Sequence, residues 1–279
     1  MTSWTLAAVQ FDCKLGEPAT NLATMRRLLN DAADRGANLI AFPELALTGY
    51  GFPDRPSVER VAETIPGPAT DAIAEECRKR NVFAVFGLIE SAGEKRFNAA
   101  AIVGPNGLVG GYRKIHMPCV GVDRFLDPGD RPFAVHDLGG LKLGVGICFD
   151  ASFPESIRAM TLMGADVVVL PTNWADMALR NATLVTRVRA LENHIYYVAV
   201  NRTGHETGYH YFGQSSICSF TGDFLAYADT DQEAIIVAPV DPVAARQKKV
   251  IICAGEYEID RVNWRRPEMY GPLTSTSHR

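Results

Sequence analysis

A chain of 279 residues, 47% hydrophobic and 22% charged, has the balance of one large globular domain, which excludes a disordered or fibrous polymer. A formal net charge of -4 is too small for an acidic tail or for nucleic-acid binding. No apolar run approaches the ~20 residues of a membrane-spanning helix, so a membrane partner is not expected either.

In chain order, the apolar run 5–11 (TLAAVQF) predicts a first strand. A helix is predicted over 18–36: Pro18 opens it, Leu22, Met25, Leu28, Leu29 and Ala32 recur at helical spacing, and Gly36 closes it. NLIAFPE (38–44) has the pattern of a buried strand stopped by Pro43. Pro68 opens a second helix to Arg80, and VFAVFGLIE (82–90) is again a strand. Two strand-like runs around Pro105, Asn106 and Gly107 then predict a hairpin within 97–118. After LKLGVGIC (141–148) come a helix near 154–163, a strand at 166–172, a helix near 181–193 and a strand at 195–201. A hairpin at 214–229 and a last strand at 234–240 complete a domain expected to span 1–240. Residues 241–279, rich in charge and proline, are expected to form a C-terminal tail with little core of its own.

RGANLIAFPE (35–44) and MGADVVVLPT (163–172) share a glycine-alanine-polar start, four apolar residues, a proline and a polar residue. Any helix-to-strand joint can look this way. The alternative is a two-fold-related sandwich with Glu44 and Thr172 at equivalent strand ends. Ligands of α/β folds bind outside the carboxyl ends of strands, which would place Glu44, Cys148 and Thr172 on one rim.

The six cysteines (13, 77, 119, 148, 218 and 253) form no C-x-x-C pair and have no histidine at metal-ligand spacing. That points to free thiols in a reducing compartment. A cytoplasmic location is expected, because MTSWTLAAVQ (1–10) lacks the basic start and long apolar core of a secretory leader. The third glycine of a dinucleotide fingerprint would fall on Phe149, and no P-loop, H-E-x-x-H or G-x-S-x-G occurs. His116 and His194 lie among apolar or aromatic residues and read as core histidines, not as the base of a Cys–His dyad.

Cys148 raises the chemical question. A cysteine is by default a buried packing residue. This one ends a buried strand, stands two residues before Asp150, and precedes a helix start at Pro154 and Glu155. A strand–turn–helix of that kind projects a side chain and offers backbone N–H groups to an oxyanion. Glu44 follows LIAFP among apolar residues, where a carboxylate is costly unless paired or protonated; bonding a loop backbone is its plain alternative role. Lys114, in YRKIHMP, follows a hairpin strand, where lysines are normally solvated.

FPELALTGY (42–50), YRKIHMP (112–118) and GICFDASFPE (146–155), in this order and at these spacings, resemble the nitrilase, or carbon–nitrogen hydrolase, superfamily. The resemblance covers about 5–240, including GADVVVLPTNW (164–174), RALENHIYYVAVNRTG (189–204) and GQSSI (213–217). It implies an α/β fold of four layers, an αββα sandwich, with no metal and no organic cofactor. It also implies a homodimer or higher homo-oligomer, with the 241–279 tail packing on the partner; the apolar run VIICAGEYEI (250–259) fits that use. Carried over by motif, Glu44 is the general base, Lys114 the electrostatic stabiliser and Cys148 the nucleophile.

The chemistry follows from the residue types. A free thiol has a pKa of about 8.5, so attack on an amide needs a base or a cation beside it. Glu44 would take the thiol proton, pass it to the leaving amine and then activate water. Lys114 and the Phe149 N–H would hold the oxyanion. The expected substrate is a small linear amide, cleaved through a thioester with release of ammonia; nitriles and N-carbamoyl compounds are the alternatives. Rival roles are an idle member acting as a binding partner and a redox-sensing thiol.

One departure stands out. Many superfamily members carry a second glutamate between the lysine and the cysteine, and none lies between Lys114 and Cys148. Asp123 is the nearest substitute, either orienting the lysine or the substrate amine, or pairing with Arg124. Tyr50, Phe149, Asn173 and Trp174 are expected to bind substrate. Arg55, Arg124 and Arg180 either hold a substrate carboxylate or lie on the surface.

Overall fold

The computed structural model describes residues 4–273 and 275. Its first half runs β1 (Trp4–Gln10), α1 (Pro18–Asp34), β2 (Leu39–Ala41), α2 (Arg55–Glu59), α3 (Pro68–Arg80), β3 (Phe83–Ala92), β4 (Lys95–Gly104) and β5 (Gly107–Arg113). The second half continues with β6 (Val135–Asp137), β7 (Lys142–Val145), α4 (Pro154–Leu162), β8 (Val167–Thr172), α5 (Thr186–Asn193) and β9 (Tyr196–Asn201). Then follow β10 (Thr203–Glu206), β11 (Tyr209–Phe212), β12 (Ser216–Cys218), β13 (Phe224–Tyr227) and β14 (Ala234–Val240). The last elements are α6 (Pro242–Arg246), β15 (Lys249–Cys253) and β16 (Tyr257–Asp260).

Two six-stranded sheets result, ordered β14-β1-β2-β3-β4-β5 and β13-β12-β9-β8-β7-β6. Each has a parallel centre, β1-β2-β3 in one and β7-β8-β9 in the other, with antiparallel strands outside it. Period-two alternation sets the layers. Leu6 and Ala8 of β1 join Val167 and Val169 of β8 in the core between the sheets. The intervening Ala7 and Val9 pack with Leu28 of α1 and Ile73 of α3, and Val168 and Leu170 pack with Met160 of α4 and Ala190 of α5. Strands buried on both faces must be apolar throughout, which is why both centres read as continuous hydrophobic runs. The layer order is helix, sheet, sheet, helix, the expected αββα sandwich.

The echo in the sequence has a counterpart here. β2 and β8 each lie between two parallel neighbours, and each has a proline at its carboxyl end, Pro43 just past β2 and Pro171 one residue before the end of β8. The two ends differ in what they present. Thr172 turns its hydroxyl to Asn201 Oδ1 (3.1 Å) and Val200 O (3.3 Å), so its neighbour Asn173, not Thr172, comes to Cys148.

Some elements depart from the sequence expectations. The polar stretch 201–210 predicts only a loop, yet β10 and β11 pair across Thr207 (φ 48°) and Gly208 (φ 86°). Two successive left-handed residues give the turn twist that suits a tight hairpin, whatever the polarity of its strands. The helix near 181–193 begins with a π-helical turn over Asn181–Val185 and is α-helical only over α5. Beyond β14, Arg246 of α6 pairs with the buried Asp166 at 2.7 Å, and Lys248 donates to His194 O at 2.7 Å. The β15–β16 hairpin that follows is largely exposed, with Ile252 at 62%. No helix among the described residues is long and apolar enough to cross a membrane.

Candidate active site

Glu44 stands just past the end of β2, where Phe42 N–H donates to Val85 O at 2.8 Å and continues the sheet for one more residue. The chain then bends past Gly87 so closely that a Cβ there would lie 2.1 Å from Leu45 N and 2.8 Å from Glu44 Cα. Glycine at 87 is therefore a demand of the turn that carries Glu44. Glu44 is fully buried, and its carboxylate is aimed at the exit of β5.

Lys114 follows β5 directly and is equally buried. Its Nζ donates to Glu44 Oε1 at 2.8 Å and to Asp123 Oδ2 at 2.6 Å, with no solvent exposure of any of the three side chains. Asn98 of β4 ties the two carboxylates together, its Nδ2 donating to Glu44 Oε1 at 2.7 Å and Asp123 Oδ1 at 2.8 Å. Tyr50 completes the cluster with its hydroxyl 3.0 Å from Asp123 Oδ2. Asp123 therefore lies on Lys114 and not on Arg124, whose Nε donates to Gly121 O.

Lys114 is the cation between two carboxyl groups in a dry site. Burial would lower the Lys114 ammonium, but Glu44 and Asp123 outweigh it and hold it above its ordinary range. Burial pushes the Glu44 carboxyl upward, against the pull of Lys114. Glu44 Oε2 is buried and has no hydrogen-bond partner. The site thus holds a firmly protonated lysine beside a glutamate whose second oxygen is unoccupied and more basic than usual.

Cys148 sits on a strained turn. β7 stops at Val145, Gly146 N–H donates to Val169 O, and Cys148 takes the left-handed φ of 45° that a side-chain-bearing residue rarely adopts. A 3-10 turn over Cys148–Ser152 leads into α4, where Pro154 fixes the first helical residue. Asp150 holds this turn: it accepts from Ile147 N–H (2.8 Å) and the Tyr112 hydroxyl (2.7 Å), and its Oδ1 lies 2.7 Å from His116 Nδ1. His116 stacks on Phe153 at 3.8 Å between ring centres, and His194 stacks on Phe220 at 4.5 Å. Neither histidine faces the thiol as a base. Burial, then the Glu44 charge, push the Cys148 thiol well above its ordinary value, against the opposing effects of Lys114 and a hydrogen bond with the Asn173 backbone. The resting sulphur is a thiol.

Cys148 opens onto a cavity of about 270 Å³ walled by Tyr50, Phe149, Asn173 and Trp174 among others, so all four residues expected at the substrate line it. Asn201 pins that wall by accepting from Trp174 N–H (2.7 Å) and donating to Trp174 O (3.0 Å). Both side-chain polar atoms of Asn173 are buried without a partner. Of the three arginines, Arg55 is spent on Glu59, Asp127 and the Phe125 carbonyl, and Arg180 is exposed. Arg124 lines a neighbouring cavity instead.

Sequence reasoning misses Asn98, Tyr112, Asp150 and Glu206. Asn98 carries a signal, a lone amide in an apolar strand run, since such a group must find partners when buried. Glu206 carries none: it lies in the stretch that reads as loop, yet it accepts from the N–H groups of Tyr50 (3.0 Å) and Gly51 (2.5 Å) while pairing with the buried Arg202 at 2.8 Å. Among the described residues, no group of three or more His, Cys, Asp or Glu side chains could hold a metal ion.

The family model for carbon-nitrogen hydrolases matches residues 5–250. A nitrilase of Pyrococcus abyssi is 39% identical over 246 residues, which cover 88% of this chain and 92% of the relative. A formamidase of Bacillus cereus is 33% identical over 219 residues, 77% of this chain but 65% of the relative's length. A mutant amidase from Nesterenkonia sp. AN1, solved in complex with acrylamide, superposes with a TM-score of 0.81 at 22% identity over 97% of both chains and so shares the fold. The chain belongs to the carbon–nitrogen hydrolase family of the nitrilase superfamily, and it is a hydrolase of carbon–nitrogen bonds.

Proposed function

We propose that this enzyme cleaves small linear amides to an acid and ammonia through a thioester on Cys148. The observation that carries the proposal is the unpartnered Glu44 Oε2, buried in a cluster whose charge acts on a protonated Cys148 thiol. A raised thiol needs a base at the moment of attack, and a raised carboxylate is matched to that task. Glu44 takes the thiol proton as the sulphur bonds to the amide carbon. The same proton goes to the nitrogen as the C–N bond breaks, and ammonia leaves. Water, deprotonated by Glu44, then attacks the thioester and returns the proton to sulphur with release of the acid.

Lys114 donates to two carboxylates, so one of its three ammonium protons remains for the substrate oxygen, together with the Phe149 N–H. Asp123 stands in for the second glutamate by holding Lys114 from the other side. The acrylamide complex of the Nesterenkonia amidase and the formamidase relatives favour an amide over a nitrile, while the Pyrococcus relative keeps the nitrilase alternative alive. The 1–240 region carries the chemistry, and the exposed Ile251, Ile252, Tyr257 and Trp264 of the tail pack on a second copy of the chain. Six unpaired cysteines suit a reducing, cytoplasmic setting.

The test is stoichiometry with a trap. A primary amide should yield ammonia and acid in equal amounts, and added hydroxylamine should divert the acyl group to a hydroxamate. Ammonia from nitriles alone would make the enzyme a nitrilase.

A further inference from the structure

We infer that the pocket over Cys148 selects an uncharged amide with an apolar acyl chain of several carbons, and discriminates against formamide and against amides that carry a second carboxylate. This inference rests on the amide-cleaving role proposed above and narrows its substrate class.

Two observations carry it. The first is chemical: among the described residues no Lys, Arg, His, Asp or Glu side chain lines the cavity, so the charged groups of the proposed mechanism, Glu44 and Lys114, meet the substrate only at its reacting amide. Beyond Cys148 the walls include Val120, Phe149, Trp174, Met177 and Tyr211. Among the described residues, Asn173 and Asn181 are the side-chain amides there. A substrate carboxylate entering such a wall would lose water and gain no cation, which is far costlier than a lost contact. The cations that a sequence reading offers for that purpose are elsewhere. Arg124 lines an adjoining cavity that shares Val120 and Tyr209 with this one, and its Nε donates to Gly121 O.

The second observation is size. An apolar cavity of about 150 Å³ is enough to take benzene. The cavity at Cys148, at about 270 Å³, is larger, so formamide would leave most of it unfilled. An acyl chain of five or six carbons would cover the aromatic walls instead. Each methylene buried there should raise kcat/KM about threefold to fourfold until the cavity is full. N-carbamoyl amino acids, which carry a carboxylate, are disfavoured by the same walls, whereas N-carbamoyl amines are not.

The experiment measures ammonia release from formamide, acetamide, butanamide and hexanamide, and from the matched pair 4-methylpentanamide and succinamate. In that pair a branched methyl end replaces a carboxylate of nearly the same shape. The expected result is a rise of at least 30-fold in kcat/KM from acetamide to hexanamide. A preference of at least 100-fold for 4-methylpentanamide over succinamate is also expected, and Arg124→Gln should leave that ratio unchanged. A flat or falling series, or succinamate cleaved as well as its neutral partner, overturns the inference while leaving amide cleavage intact. Loss of succinamate cleavage in Arg124→Gln would likewise overturn it by showing that Arg124 reads a carboxylate. Absence of ammonia from every amide overturns the amide-cleaving role itself, and this inference with it.

Discussion

The Tyr112 hydroxyl donates to Asp150 Oδ2 at 2.7 Å, joining the strand two residues before Lys114 to the turn two residues after Cys148. With the His116 contacts to Asp150 Oδ1, this buried hydrogen bond ties together the segments that carry the residues proposed as oxyanion donor and nucleophile. Phenol and carboxylate are both shielded from water, and burial and the Asp150 charge raise the Tyr112 hydroxyl far above its ordinary range, so it stays a donor.

Tyr112→Phe removes that donor and leaves a buried carboxylate oxygen with one partner fewer, a loss of about 1–3 kcal/mol. The expected outcome is a lower melting temperature and a fall of roughly tenfold in kcat with little change in KM. Thermal denaturation and steady-state kinetics on one accepted amide check both. Wild-type kcat in Tyr112→Phe would show that the turn holds Cys148 without this tie.

Asp123 contacts Lys114, Asn98 and Tyr50 inside the protein, so its substitution is not a surface change. Asp123→Asn keeps the size and removes the charge that fixes the lysine. Transition-state stabilisation should fall by about 2–4 kcal/mol, roughly 30- to 1000-fold in kcat/KM. Asp123→Glu should retain more activity, since charge is preserved at some cost in placement. Near wild-type rates in Asp123→Asn would remove Asp123 from the mechanism.

The parallel centres, the helices that Pro18, Pro68 and Pro154 open, and the hairpin at Pro105 are legible in the sequence because each rests on local chemistry: ring-fixed φ, apolar periodicity or a turn dipeptide. Cys148 and Glu44 stand out as candidates by their local settings, whereas Lys114 is marked only by the shared motif pattern. Nothing local marks Lys114 as a buried lysine, because its burial comes from residues 9 and 70 positions away. Asp150 and Glu206 are invisible for the same reason. The Tyr112 hydroxyl on Asp150 and the Tyr50 N–H on Glu206 come from far along the chain, and neither they nor the local Ile147 N–H on Asp150 leave a periodicity in the sequence.

The direction of the Glu44 shift fixes a pH dependence. A carboxyl with a raised pKa is protonated at higher pH, and a protonated Glu44 cannot accept the thiol proton. Activity should therefore be lost, as pH falls, above the ~4.3 of an ordinary glutamate. Lys114, held protonated by its two carboxylates, should impose no alkaline loss below the ordinary lysine range of about 10.4. A kcat/KM profile from about pH 3 to 10 measures both limbs, against the ~4.3 of an ordinary glutamate. An acid midpoint below that value would contradict Glu44 as the base.

The tail presents Ile251, Ile252 and Tyr257 on the β15–β16 hairpin and Trp264 just beyond it, each more than half exposed, while Lys248 to His194 O and Arg158 to Arg261 O tie the segment to the body. Exposed apolar patches of this kind mark association surfaces. Light scattering should find the full chain as a dimer or larger at micromolar concentration, and a chain ending at 248 shifted toward monomer. A full-length monomer would contradict the proposal.

The most direct measurement is the mass of Cys148 during turnover. A reaction with an accepted amide, quenched in acid and digested, should show the acyl mass on the peptide bearing Cys148 and not on the one bearing the exposed Cys119. Cys148→Ala should lose the adduct and all ammonia release while keeping its fold by circular dichroism. Continued turnover in Cys148→Ala, or acylation confined to another residue, would contradict the thioester mechanism.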